Sequence, residues 1–198
     1  MKALLLIDLQ NDFLPGGSLA VPDGDAVVPV ANRLMPAYDL VVATKDWHPA
    51  GHGSFASGHA GKQPGEVVEL AGLPQVLWPD HCVQHTRGAE LHADLNAGGI
   101  DEVVTKGTDS GIDSYSGFFD NGHRKATGLA DLLRARGVDA VDVAGLALDY
   151  CVKFTALDAV KEGFTTTVLL DGCRAVNLQP GDGDAAVAEM QAAGVQVR

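Results

Sequence analysis

No apolar run in this 198-residue chain approaches the roughly 20 residues that span a bilayer, so a membrane protein is not expected. Positive charge is scarce as well. There are 14 Lys and Arg against 26 Asp and Glu, a formal charge of −12, which lacks the basic footprint that nucleic-acid binding needs. Cysteine is rare and odd in number: Cys82, Cys151 and Cys173 make no disulfide framework, and free thiols in a reducing compartment are expected. The short apolar start, MKALLLIDLQ, is interrupted by Asp8 and leads to no small-residue cleavage site. No signal peptide is expected, and the location implied is the cytoplasm. Internal repeats and low-complexity tracts are missing too.

What is present fits one domain over residues 1–198, slightly longer than the usual ~100–150 and able to bury a continuous core. Short apolar, β-branched runs fall at Lys2–Asp8, Leu40–Thr44, Glu102–Lys106, Ala140–Gly145, Thr165–Leu170 and Val195–Arg198. Helical patterns at 24–37, 127–136, 150–162 and 183–193 alternate with them. The second carries Leu129, Leu132 and Leu133 at helical spacing, with Gly137 placed as a C-terminal cap. Strands alternating with helices predict βαβ units and a parallel sheet. The one long stretch lacking such signals is residues 46–100. That stretch is rich in Gly, Pro and His, and a loop region of this size in a compact domain is usually functional.

The reactive residues gather at the predicted strand ends, where open α/β sheets bind ligands. Asp8 ends the first run, Asp46 lies just past the second and Lys106 ends the third, while the fourth leads through Gly145 to Cys151. Cys151 sits where a strand hands over to a helix. With Asp149 as N-cap it falls in the first turn, where unpaired N–H groups and the helix dipole favour a thiolate and can hold an oxyanion. By position alone a buried structural thiol is the commoner reading for such a cysteine. Asp8 alone reads as a strand-end carboxylate in water, and Lys106 as a solvated lysine. Together the three are coherent: the thiol needs a base, and the ammonium balances the carboxylate and a developing oxyanion.

A second group is DWHPAGH, with Asp46, His48 and His52, followed by WPDHC with His81. A D-x-H pair in extended chain puts both side chains on one face, and a third imidazole completes a metal site with positions left open. Histidines also occupy loops without function, the reading given to His59, His85, His92 and His123.

At these residues the chain resembles the nicotinamidase branch of the isochorismatase-like cysteine hydrolase superfamily. The resemblance runs nearly end to end through DLQNDF (8–13), PGGSLAV (15–21), TKDWHPAGHGSFAS (44–57), WPDHCVQHTRGAELH (78–92), KGTDSGIDSYSGFFDN (106–121) and GLALDYCV (145–152). It implies a single-domain, Rossmann-like three-layer α/β/α fold with a six-stranded, mostly parallel sheet. It implies Asp8 as general base, Lys106 as the lysine that keeps Asp8 ionised, and Cys151 as nucleophile. A non-proline cis bond between Leu146 and Ala147 is implied, with the N–H groups of Ala147 and Cys151 as oxyanion hole. Asp46, His48 and His81 are the implied ligands of one divalent ion, zinc first and iron or manganese as alternatives. His52 is a further candidate, with Ser54 in support. Phe13, Trp78 and Tyr115 are implied walls of a pocket for a flat ring. The implied reaction is hydrolysis of nicotinamide, with pyrazinamide as an analogue. The alternative is another amidase of the superfamily acting on a carbamoyl or ureido compound. Monomer and homo-oligomer remain equally open.

Overall fold

The computed structural model describes residues 1–198. Its architecture follows from the first strand, β1 (Lys2–Ile7, KALLLI), which is apolar and buried at every position after Lys2. Such a strand needs cover on both faces, the condition of a parallel sheet's interior. β1 pairs with β2 (Val41–Asp46) on one side; two residues of extra length bring Asp46 into that strand. The short hairpin β3 (Val67–Leu70) and β4 (Leu73–Val76) follows as a separate two-stranded piece. β5 (Glu102–Lys106) then pairs beyond β2, β6 (Ala140–Leu146) pairs with β1, and β7 (Thr165–Arg174) and β8 (Gln196–Val197) extend that side. The order is β5-β2-β1-β6-β7-β8, and every pairing in this sheet is parallel.

Because side chains alternate along a strand, β1 feeds two cores. Leu4 and Leu6 pack with Val27, Val28 and Ala31 of α1 (Val27–Leu34). Ala3, Leu5 and Ile7 face the other way, among Leu133 of α2 (Leu129–Ala135), Ala156 of α3 (Lys153–Lys161) and Met190 of α4 (Asp182–Ala192). Three layers result. Cys82, Ala89 and Leu95 from the loop stretch complete the α1 face, so part of that stretch is core.

The hairpin corrects the reading of 46–100 as structureless. Its two turn residues, Ala71 and Gly72, both have positive φ (54° and 77°), as tight hairpin turns demand. Ala-Gly is a weak turn signal, and Pro74 within β4 argues against a strand, so the pattern was hidden. Gly137 does cap α2: its φ is 70°, and the N–H of Val138 reaches back to the carbonyl of Leu133.

The chain leaves β1 towards β2 and β5, then returns to lay β6 on the opposite edge of β1. The carboxyl ends of β1 and β6 therefore form the switch point of the sheet, where a crevice opens.

Candidate active site

Asp8 leaves β1 and Cys151 follows β6, on either side of that crevice. Lys106 ends β5 in register with Asp46 at the end of β2, which brings the two side chains together. Lys106 Nζ lies 2.5 Å from Asp46 Oδ1, 2.9 Å from Asp8 Oδ2 and 3.4 Å from Cys151 Sγ, and it donates to the carbonyl of Ser114 at 3.0 Å. Asp8 Oδ1 accepts from the Thr44 hydroxyl at 2.6 Å. Carboxylate oxygens of Asp8 and Asp46 and the sulfur of Cys151 lie within 4.8 Å of one another. All these side chains are buried. Three of them, far apart in sequence, thus meet around one ammonium.

Burial sets the charges. It pushes the Asp8 carboxyl up, and Asp46 adds to the rise; Lys106 opposes both and does not reverse them. Burial also acts to raise Asp46, but Lys106 and His48 outweigh it and hold Asp46 well below the usual carboxylate range. Lys106 would lose its proton to burial, yet Asp46, Asp8 and Cys151 raise it well above an ordinary lysine. Lys106 pulls in the expected direction, favouring the ionised form of Asp8, although its shortest contact goes to Asp46. The thiolate-favouring turn is corrected. Burial raises the Cys151 thiol far above its ordinary value, and Lys106 offsets only part of that.

Asp149 is not an N-cap. Its carboxylate accepts the N–H groups of Val176 at 2.9 Å and Asn177 at 2.8 Å, tying the segment after β7 to the site. The turn carrying Cys151, Leu148–Val152, is a π-type turn that starts from Ala147. The peptide between Leu146 and Ala147 is cis.

Asp46 points its other oxygen, Oδ2, towards Nε2 of His48 at 3.7 Å and Nε2 of His81 at 3.8 Å. Each ring is oriented from behind: Nδ1 of His48 meets the carbonyl of Gly107 at 2.9 Å, and Nδ1 of His81 that of Pro79 at 2.8 Å. A ring donating through Nδ1 leaves a lone pair on Nε2, the arrangement of metal-binding histidines. His48 Nε2 is buried with no hydrogen-bond partner. Burial acts to lower the His48 pKa, but Asp46 overrides it and leaves it raised, so this spot attracts positive charge. One carboxylate oxygen and two imidazole nitrogens within 4.8 Å of each other are a donor set that fits a divalent ion. His52 does not share that orientation. Its Nδ1 meets Ser54 Oγ and its Nε2 the carbonyl of Asp109, both at 2.8 Å, and its ring packs against His48 with centroids 4.3 Å apart.

Phe13, Trp78 and Tyr115 line a cavity of about 30 Å³ together with Asp46, His81 and Cys151. Phe13 meets His81 edge-on, and Trp78 Nε1 donates to the Tyr115 hydroxyl at 3.1 Å. Sequence reasoning missed several supports. Gln10 bonds the Asp46 backbone both ways, accepting its N–H and donating to its carbonyl, each at 2.7 Å. Thr44, Gln75 and Asp113 were missed too. Gln10 lies inside the quoted DLQNDF motif, so a signal existed for it; Gln75 lies in the unrecognised hairpin.

The Isochorismatase domain matches residues 2–198. A nicotinamidase of Escherichia coli (strain K12) is 55% identical over 197 residues, covering 98% of this chain and 92% of that protein. The solved nicotinamidase of Acinetobacter baumanii superposes with a TM-score of 0.96 at 48% identity, covering 99% of this chain and 94% of the other. A pyrazinamidase of Pyrococcus horikoshii, solved in complex with zinc, gives a TM-score of 0.81 at 37% identity, covering 100% and 98%.

Proposed function

This chain belongs to the isochorismatase family, and from that premise we propose that it hydrolyses nicotinamide to nicotinate and ammonia through a cysteine thioester, serving NAD salvage. The observation that carries the reading is the meeting of Asp8, Lys106 and Cys151 beside the Asp46, His48 and His81 donor set, with Cys151, Asp46 and His81 opening onto a cavity walled by Phe13, Trp78 and Tyr115. A carbamoyl or ureido substrate has no such use for a metal group next to an aromatic wall.

In the resting site Cys151 is a neutral thiol. Asp8, whose raised pKa makes it the stronger base, takes the thiol proton as sulfur attacks the carboxamide carbon. The oxyanion rests on the N–H groups of Ala147 and Cys151, and Lys106 offsets the added negative charge. Asp8 returns its proton to the leaving nitrogen, and ammonia departs as the C–N bond breaks. Asp8 then removes a proton from water, which attacks the thioester; the C–S bond breaks and the sulfur regains its proton. Asp46, His48 and His81 would hold a divalent ion, which would supply a template for the ring nitrogen of the substrate. Zinc is our assignment, supported by the zinc in the Pyrococcus neighbour; iron and manganese suit the same donors. The partner is a small carboxamide, and every group used comes from one chain. No helix is long and apolar enough to cross a membrane, and three free thiols suit the cytoplasm.

The test is ammonia release from nicotinamide by metal-quantified protein. Cys151→Ala should lower turnover by at least about 10⁴-fold while metal content and folding stay as in the wild type. Activity near the wild-type level in that variant removes Cys151 from the reaction.

A further inference from the structure

A buried carboxylate beside the metal group has no part in the chemistry above. Asp113 is 3% exposed and lines the same cavity as Asp46 and His81. One of its oxygens and ring nitrogens of His48 and His52 lie within 4.8 Å of one another. Oδ1 accepts the N–H of Ser114 at 2.7 Å, and Oδ2 accepts Gln75 Nε2 at 3.0 Å. A carboxylate has about four acceptor positions; with one hydrogen bond on each oxygen, Asp113 keeps free lone pairs beside the cavity.

Charge balance gives those lone pairs a purpose. Lys106 lies 2.5 Å from Asp46, so much of the Asp46 charge is already balanced, although Asp46 is the only carboxylate in the donor set. A dication there calls for a second negative group nearby. Asp113 stands next to His48, within reach of the donor set.

Resting on the metal reading above, we propose that Asp113 is a positioning residue for the ion, accepting a hydrogen bond from water on the ion and supplying the missing negative charge. Gln75 holds Asp113 in place. Its Nε2 lies 3.0 Å from Asp113 Oδ2, 2.9 Å from the Tyr115 hydroxyl and 2.8 Å from the Val76 carbonyl, so one amide ties the carboxylate to the aromatic wall. The β3–β4 hairpin, which carries Gln75, thereby gains a role. Outer partners of this kind typically change metal affinity by about 10–100-fold when removed.

The experiment is zinc binding by competition with a chelating dye, with no substrate present, for the wild type, Asp113→Asn and Gln75→Leu. Wild type should bind one zinc per chain. Asp113→Asn should bind it about 10–100-fold more weakly. Gln75→Leu leaves the charge in place but unheld, and should weaken binding by about 3–10-fold, a fraction of that loss. A purely structural Asp113 would lower the melting temperature and leave zinc affinity within about twofold of wild type, and that result overturns the proposal. Should Asp113→Asn fail to fold, unchanged zinc affinity in Gln75→Leu overturns it instead. Wild type that takes up no zinc defeats the metal reading itself, and this inference with it.

Discussion

The two halves of the site are built in different ways. Asp8, Lys106 and Cys151 stand at or just beyond strands of the central sheet, where β1 and β6 are its innermost members. His48, His81, Trp78 and the Asp113 region ride on loops between the strands, held by carbonyls and side-chain amides. Groups at strand ends inherit their positions from sheet register. Those on loops need a local support for each side chain. The first half should therefore be displaced only with the fold, and the second can be displaced alone.

Lys106→Ala is the harshest test of that contrast. It strips the shared cation from Asp8 and Asp46, and removing one partner of a buried ion pair typically costs about 3–5 kcal/mol. Chemical denaturation should register a loss of that size together with loss of turnover. A Lys106→Ala protein as stable as wild type would mean that the ammonium is not what holds the two buried carboxylates. Gly107→Ala probes the loop half. A Cβ there would sit 2.5 Å from Cε1 and 2.7 Å from Nδ1 of His48, and the backbone φ is +64°. The left-handed backbone alone costs about 1–2 kcal/mol. Displacing the His48 ring should also weaken zinc binding by roughly tenfold. Zinc affinity equal to wild type would mean that the ring is not fixed from behind.

The smallest effect is expected from Asp8→Asn. Asp8 has a raised folded-state pKa, so the stability it contributes is fully present below the ordinary carboxylate value and is lost as pH rises through the raised one. The asparagine variant, neutral throughout, should match wild type at low pH and be slightly more stable near neutrality, though inactive. Melting curves across that range check the sign; a variant less stable at neutral pH than at low pH, relative to wild type, would contradict it.

The same contrast decides what could be read from the chain. β1, β2 and β6 were legible because buried parallel strands leave continuous apolar runs, and β5, an edge strand with alternate residues exposed, by its β-branched Val-Val-Thr; their end residues named Asp8, Asp46, Lys106 and the path to Cys151. The D-x-H and W-P-x-H-C segments offered the histidines but not their partners, since which carbonyl meets His48 or His81 depends on loop geometry. Asp149 was misread because local spacing suggested a cap, while its real partners, Val176 and Asn177, lie more than 25 residues away. The rise that burial imposes on Asp8 and Cys151 was not legible for a related reason: burial is a property of the folded crevice, and no local pattern carries it.

Rooting the nucleophile and its base between the two innermost strands has a consequence for lifetime. Amide hydrogens of β1 and β6 should exchange with solvent only through global opening, the slowest class of native-state fluctuation. The reacting pair can then drift out of line only in molecules that have already lost their fold, so heat inactivation at saturating zinc should track unfolding rather than precede it.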